Sequence, residues 1–241
     1  MISYKNIIIE FDDVLIQSFL QGYMGYSIFE DKKNPKSVQI VVGDFCFFSG
    51  TPNEHFIKEA KADIITFQNE AWENLAEKSL INKVIKSKRY KMKAELNSFK
   101  KDQLKYYVES LDKDFIITKI DENIYKEVLN KKWSKDFCSL FNSYNEFSKK
   151  GLGFVILYKN QIISGASSYA YADNCIEIEI DTKKEYRNKG LAKACGSKLI
   201  LECISRNIYP SWDAQDLRSV HLATTLGYKI DKEYNVFIKK N

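Results

Sequence analysis

Histidine is nearly absent: two occur in 241 residues, His55 and His221, without ligand spacing to each other, so no metal centre is expected. Cysteine is sparse and unpatterned. Cys46, Cys138, Cys175, Cys195 and Cys203 are scattered, odd in number and free of any Cys-x-x-Cys pair. That usage fits reduced, buried thiols in a cytoplasmic chain and excludes a disulfide scaffold. No apolar run approaches the ~18 residues that a membrane span needs. Ile7, Ile8 and Ile9 begin a short one, but Glu10, Asp12 and Asp13 break any signal-peptide core, so neither a membrane segment nor export is expected. Internal repeats and a low-complexity tail are also missing. Charge of one sign does not dominate, since 37 Lys and Arg against 32 Asp and Glu leave a net charge of +5. This mild excess suits an anionic ligand without demanding nucleic acid.

What is present is an ordinary globular composition, 44% hydrophobic and 29% charged, in a chain long enough for a full core. The reading is an α/β chain of the α+β type, divided into an N-terminal α/β domain over 1–112 and a C-terminal domain over 113–241. In the first half, residues 37–49 are rich in β-branched and aromatic side chains and read as one or two strands broken at Gly43-Asp44. Residues 53–60 read as a short helix, 63–67 as a buried strand, and 70–79 as an amphipathic helix with Trp72, Leu75 and Ala76 inward. The basic run 83–105 interleaves lysines with Tyr90, Met92 and Phe99, a pattern that can track a phosphate backbone. Glu95, Asp102 and Glu109 dilute it, and it reads instead as a solvated strand followed by a linker and helix.

The second half is clearer. Residues 115–120 read as a strand, 121–130 as a helix capped by Asp121, and 135–149 as a second helical stretch. A hairpin follows, 154–158 and 162–171 around Lys159-Asn160. From Cys175 to Asp181 apolar and acidic residues alternate with the period of a strand, which puts Glu177 and Glu179 on one face. The turn Arg187-Asn188-Lys189-Gly190-Leu191-Ala192 then runs directly into a helix ending near Asn207. A helix start offers unpaired N–H groups and the positive end of the macrodipole, which together favour a polyphosphate. Gly190 lets it come close, and Arg187 and Lys189 add positive charge. After it, residues 209–214 read as a short strand, 216–226 as a helix stopped by Gly227, and 228–239 as one or two closing strands around Asp231-Lys232.

The order of acidic strand, Arg-x-x-Gly-x-Ala turn, helix, short strand and a helix ending at Leu226-Gly227-Tyr228 resembles the GNAT acetyltransferases. The segments 43–47, 164–169, 177–182 and 209–214 look more specifically like a two-domain bacterial GNAT subfamily that includes a zwittermicin resistance acetyltransferase. The resemblance implies a mixed, mostly antiparallel C-terminal sheet flanked by helices. It also implies acetyl-CoA as co-substrate, no metal, and a small-molecule amine as acceptor. In the family this turn binds the pyrophosphate, which assigns Arg187, Asn188, Lys189, Gly190, Leu191 and Ala192 to the cofactor. Ile180 and Thr182 are placed beside the pantetheine arm, where a strand N–H would polarise the thioester carbonyl.

The attacking amine must be neutral, so a proton acceptor helps, and Glu177 and Glu179 are the catalytic candidates. Their alternative role is electrostatic binding of the amine. Many members carry an Asn near the start of the last helix and a Tyr four residues before its closing Gly; here those positions hold Asp216, grouped with the cofactor residues, and Ala223. The usual general acid is thus missing, and Tyr234, Tyr228 or water would have to replace it. Ser167, Trp212 and Asp213 are candidates for the acceptor pocket, although Ser167 and Ser168 point to opposite strand faces and a Trp after Pro210 is as often plain packing. Two roles stand open for the N-terminal unit, covering the acceptor side of the cleft or holding a homodimer together. Competing with the enzyme is a non-catalytic acyl-CoA binding or sensing protein, and behind it a nucleic-acid binder working through the basic run.

Overall fold

The computed structural model describes residues 12–240, which leaves the Ile7–Ile9 run outside the described residues. In chain order the elements are α1 (Val14–Leu20), β1 (Tyr26–Phe29), β2 (Ser37–Val42), β3 (Phe45–Gly50), α2 (Glu54–Lys58), β4 (Ile64–Phe67), α3 (Glu70–Ser79) and β5 (Val84–Lys93). There follow α4 (Lys101–Glu109), β6 (Ile116–Lys119), α5 (Glu122–Leu129), α6 (Tyr144–Lys150), β7 (Gly153–Tyr158), β8 (Gln161–Ala172) and β9 (Cys175–Thr182). The chain closes with α7 (Leu191–Ser205), β10 (Tyr209–Ala214), α8 (Leu217–Leu226) and β11 (Lys229–Lys239).

Two compact units divide the chain at Arg89/Tyr90 and again at Lys232/Glu233. Both boundaries fall inside strands, β5 and β11, where composition does not change, and neither coincides with the 112/113 division expected from the sequence. The first unit carries strands in the order β1-β2-β3-β4-β11, antiparallel except for the parallel pair β3/β4. Its helices are set by local chemistry: Asn53 and Asn69 each accept a backbone N–H of the helix they cap, Phe56 and Trp72 respectively. Phe48, Ile57, Ile65, Trp72 and Phe237 fill its core, and the Trp72 indole N–H donates to Gly50 O at 3.0 Å. α1 and β1 are additions that the sequence reading lacked; Asp13 caps α1 by accepting the Leu15 N–H.

The second unit holds the order β5-β10-β9-β8-β7-β6, again mostly antiparallel, with β9 and β10 the parallel pair. The mixed, mostly antiparallel sheet flanked by helices is therefore present. Lys159 and Asn160 both take positive φ (48° and 60°), the turn that joins right-twisted strands in a two-residue hairpin. One helix is corrected. The stretch 135–149 is not continuous: a 3₁₀ turn at Lys135–Phe137 gives way to a loop, and α6 starts afresh after Ser143, which caps it by accepting the Glu146 N–H. Phe137, Cys138 and Phe141, on the near side of the break, and Phe147 of α6 beyond it are all buried. β11 is one strand, without the interruption allowed for at Asp231-Lys232.

Candidate active site

β9 and β10 start as neighbours and then part. They pair in parallel from Tyr209↔Cys175 to Ser211↔Glu177, after which β10 pairs with β5 through Trp212↔Met92, Asp213↔Lys91 and Ala214↔Tyr90. On its other side β9 stays paired with β8 as far as Ser164↔Thr182. The Lys183 N–H donates to Ile163 O at 2.9 Å, which fixes the phase of that ladder: residues 179, 181 and 183 turn their backbone groups to β8. Ile178, Ile180 and Thr182 present theirs to the edge that β10 has left. The Thr182 N–H meets the Asp181 carboxylate at 2.7 Å, so of the two amides assigned to a thioester, Thr182's is engaged locally. Ile180 sends its side chain the other way through the sheet, to within 3.0 Å of where a Cβ on Gly196 of α7 would sit.

Glu177 and Glu179 lie on the face opposite α7. Glu177 is 8% exposed and its carboxylate accepts the Asp213 N–H at 2.8 Å; Glu179, one period on, is more open. Asp213 is thereby tied to the acidic strand through its amide. A loop that carries Trp133 and Phe137 lies over this face, since Ser167, paired with Glu179, donates its hydroxyl to Phe137 O at 2.6 Å. Trp133 is a residue the sequence reading passed over. Its indole N–H is buried without an acceptor among the described residues, and Lys183 stands 5.9 Å from its ring. A lone Trp between lysines carries no periodic signal by which to find it.

The turn behaves as a cradle. Asn188 (φ 62°) and Gly190 (φ 75°) are both left-handed, and α7 begins with no side-chain cap on Gly190. The N–H groups of its first turn therefore point outward at the positive end of a 15-residue helix. A Cβ on Gly190 would meet nothing within 4 Å, so the space over the turn is open to a ligand. Leu191 is buried and anchors the helix, while Ala192 is half-buried beside it. The cations are arranged unequally. Arg187 folds back, its Nε donating to Thr182 O (3.0 Å) and its guanidinium pairing with Asp181 (3.2 Å), so it buttresses the turn. Lys189 and Lys193 rest against the rings of Tyr186 (5.3 Å) and Tyr107 (4.3 Å). The inner face of α7 is plain core: burial pushes the Cys195 thiol up to about 12, and it donates to Phe154 O.

The remaining candidates divide. Ser167, expected in the acceptor pocket, is fully buried with its hydroxyl committed to backbone carbonyls, and Ser168 likewise bonds Leu152. Trp212 is packing: it is buried against Tyr228 at 5.5 Å, and its indole N–H donates to Ser219. Asp216 caps α8, accepting the N–H groups of Arg218 and Ser219 at 2.9 Å. Burial works to raise its pKa, but the Arg218 and Ser219 hydrogen bonds outweigh it and hold the carboxyl below its ordinary value. Tyr228 is buried, its hydroxyl donating to Pro210 O at 2.7 Å, and desolvation lifts its pKa well above normal. Tyr234 is half-buried in the part of β11 that belongs to the first unit.

Residues 5–237 match the model of the GNAT acetyltransferase family. A GCN5-related N-acetyltransferase-like protein from Streptococcus suis is 38% identical, with a TM-score of 0.92 over 98% of this chain and 96% of that one. The uncharacterized N-acetyltransferase YdfB of Bacillus subtilis is 26% identical, covering 97% of this chain and 95% of its own. A GCN5-related N-acetyltransferase from Kribbella flavida shares the fold alone, at 11% identity and a TM-score of 0.60 over 93% of this chain and 94% of that one. With an uncapped helix behind a left-handed turn, and a parallel pair that parts beside it, the match over almost the whole length leads to one conclusion: the chain belongs to the GNAT acetyltransferase family.

Proposed function

We propose that the protein is an N-acetyltransferase that moves an acetyl group from acetyl-CoA to a primary amine of a small molecule. The observation that carries this reading is the open, uncapped start of α7 behind two left-handed residues, next to the free edge of a strand bearing two carboxylates. When bound, acetyl-CoA supplies the thioester that donates the acetyl group. The first-turn N–H groups of α7, with Lys189, suit its pyrophosphate, and Arg187 holds the turn in shape from behind. The Ile180 N–H faces the gap, the place from which a strand amide polarises a carbonyl. On the other face Glu179, the more open of the two acids, attracts a protonated amine and accepts its proton. The likeness of four segments to a subfamily containing a zwittermicin resistance enzyme supports an antibiotic-like amine as acceptor.

A thermal shift measurement with acetyl-CoA tests the donor, beside a Gly190→Glu variant that sets bulk and negative charge on the cradle. The parent should gain stability with ligand concentration and the variant should not. Equal shifts in both would remove the cradle from the mechanism. One observation favours a second reading, a non-catalytic acyl-CoA binder: Ala223 is buried where the family often carries its acid, and Tyr228 is sealed in the core. Release of free thiol in the presence of an amine panel separates the two, since binding alone yields none.

A further inference from the structure

We infer that Glu177 is a positioning residue that holds β9 and β10 apart, its carboxylate standing in for the next rung of their parallel ladder. The Tyr209 N–H donates to Asn174 O at 2.7 Å, which sets the phase: on β10 the amides of residues 209, 211 and 213 turn towards β9. A parallel ladder continued one step beyond Ser211↔Glu177 would send the Asp213 N–H to Ile178 O and the Ile180 N–H to Asp213 O. The register ends before that step. The Asp213 N–H goes instead to Glu177 Oε1 at 2.8 Å. A side-chain oxygen has taken the acceptor's place, and β10, its donor satisfied, follows β5 through Asp213↔Lys91.

The substitution has two consequences. Asp213 keeps a hydrogen bond in a half-buried setting, so parting the strands leaves no orphaned donor there. On β9, Ile178 O and the Ile180 N–H lose their strand partners and face the gap. The free edge is thus held open by a carboxyl group that is only 8% exposed, whose burial the Asp213 N–H helps to offset. The two glutamates then have different jobs: Glu177 builds the opening and Glu179 meets the amine. This division rests on the proposed acetyl-CoA reading only for what the opening admits, because the parting of the strands is measurable without any ligand.

The test compares the parent with Glu177→Gln, which keeps an oxygen acceptor at the same reach, and Glu177→Met, which has the length but no acceptor. Amide hydrogen exchange of Asp213 and Ile180, read by NMR without ligand, should match in parent and Glu177→Gln. In Glu177→Met the ladder should close, slowing exchange at Ile180 by about tenfold or more. With acetyl-CoA, the KM of Glu177→Met should rise about tenfold, while Glu177→Gln stays within about threefold of the parent and keeps the acid limb of its pH profile. Unchanged exchange in Glu177→Met overturns the inference, because the strands then part without the carboxylate. So does a Glu177→Gln variant that keeps its KM but loses the acid limb, because Glu177 would then itself take the proton. If Glu177→Met does not fold, Glu177→Asp, one methylene short of Asp213, carries the same expectation. A parent that ignores acetyl-CoA sinks the proposed function and leaves the exchange result to decide this one.

Discussion

At the scale of single residues, identity announced chemistry well where the backbone does the work and poorly where a side chain has a choice of partner. Gly190 could be singled out because a side chain there would keep a phosphate away from the backbone; it takes a φ of 75°, and an added Cβ would meet nothing within 4 Å. Ser167, Trp212 and Asp216 could not be judged the same way. A hydroxyl, an indole N–H or a carboxylate takes whatever partner the fold brings, and here these are Phe137 O, Ser219 and the first amides of α8. Asp216 supports a prediction with a sign. Its carboxyl titrates below its ordinary value of 3.8, so its contribution is complete above that pH and is lost as pH falls through the folded value. Asp216→Ala should cost about 1 kcal/mol at pH 7, the usual worth of an N-cap. Thermal melts of parent and Asp216→Asn should differ at neutral pH and draw together below pH ~4. A difference that persists undiminished at pH ~3 would mean the charged form is not what stabilises α8.

Among the elements, those with strong local signals appeared in place: the hairpin over Lys159-Asn160, the acidic strand, α7 and α8 closed by Gly227 at φ 114°. The loop between the 3₁₀ turn and α6 did not. Its apolar residues are spaced as in a helix, but where each one packs depends on what lies beneath. Beneath is Gly165 of β8, where an added Cβ would overlap the Phe137 ring. Gly165→Ala should therefore push Phe137 and its loop off the sheet at a cost of about 1–3 kcal/mol, measured by urea unfolding. An effect under about 0.5 kcal/mol would show that the loop yields without resistance. Since the same loop covers the face of Glu179, the variant should also disturb Glu179 before the turn at Gly190.

For the whole chain, the division into units is where sequence and structure differ most. The sequence reading sets a boundary at 112/113, where the element order becomes clear, and the second compact unit begins at Tyr90. Tyr90, Lys91 and Met92 pair with β10, Phe99 meets Tyr228 edge to face at 5.1 Å, and Leu104 is buried on α4. A fragment of residues 90–232 should therefore melt cooperatively at a higher temperature than one of 113–232, in which β10 loses a neighbour and Tyr228 an aromatic partner. Equal melting temperatures by circular dichroism would show that β5 and α4 add nothing to that unit. Among the described residues no helix is long and apolar enough to cross a membrane.

The sequence by itself determined the hairpin, the acidic strand, the helix behind Gly190 and the face shared by Glu177 and Glu179, because each is set by spacing within about one turn or one strand. Tertiary structure alone decided where β10 leaves β9, what Glu177 holds, which hydroxyls are spent on the core and where one unit stops. Those outcomes depend on partners far apart in the chain: the Asp213 amide meets Glu177 across 36 positions, and Ser167 meets Phe137 across 30. No local pattern encodes a hydrogen bond whose two ends are brought together only when the sheet closes.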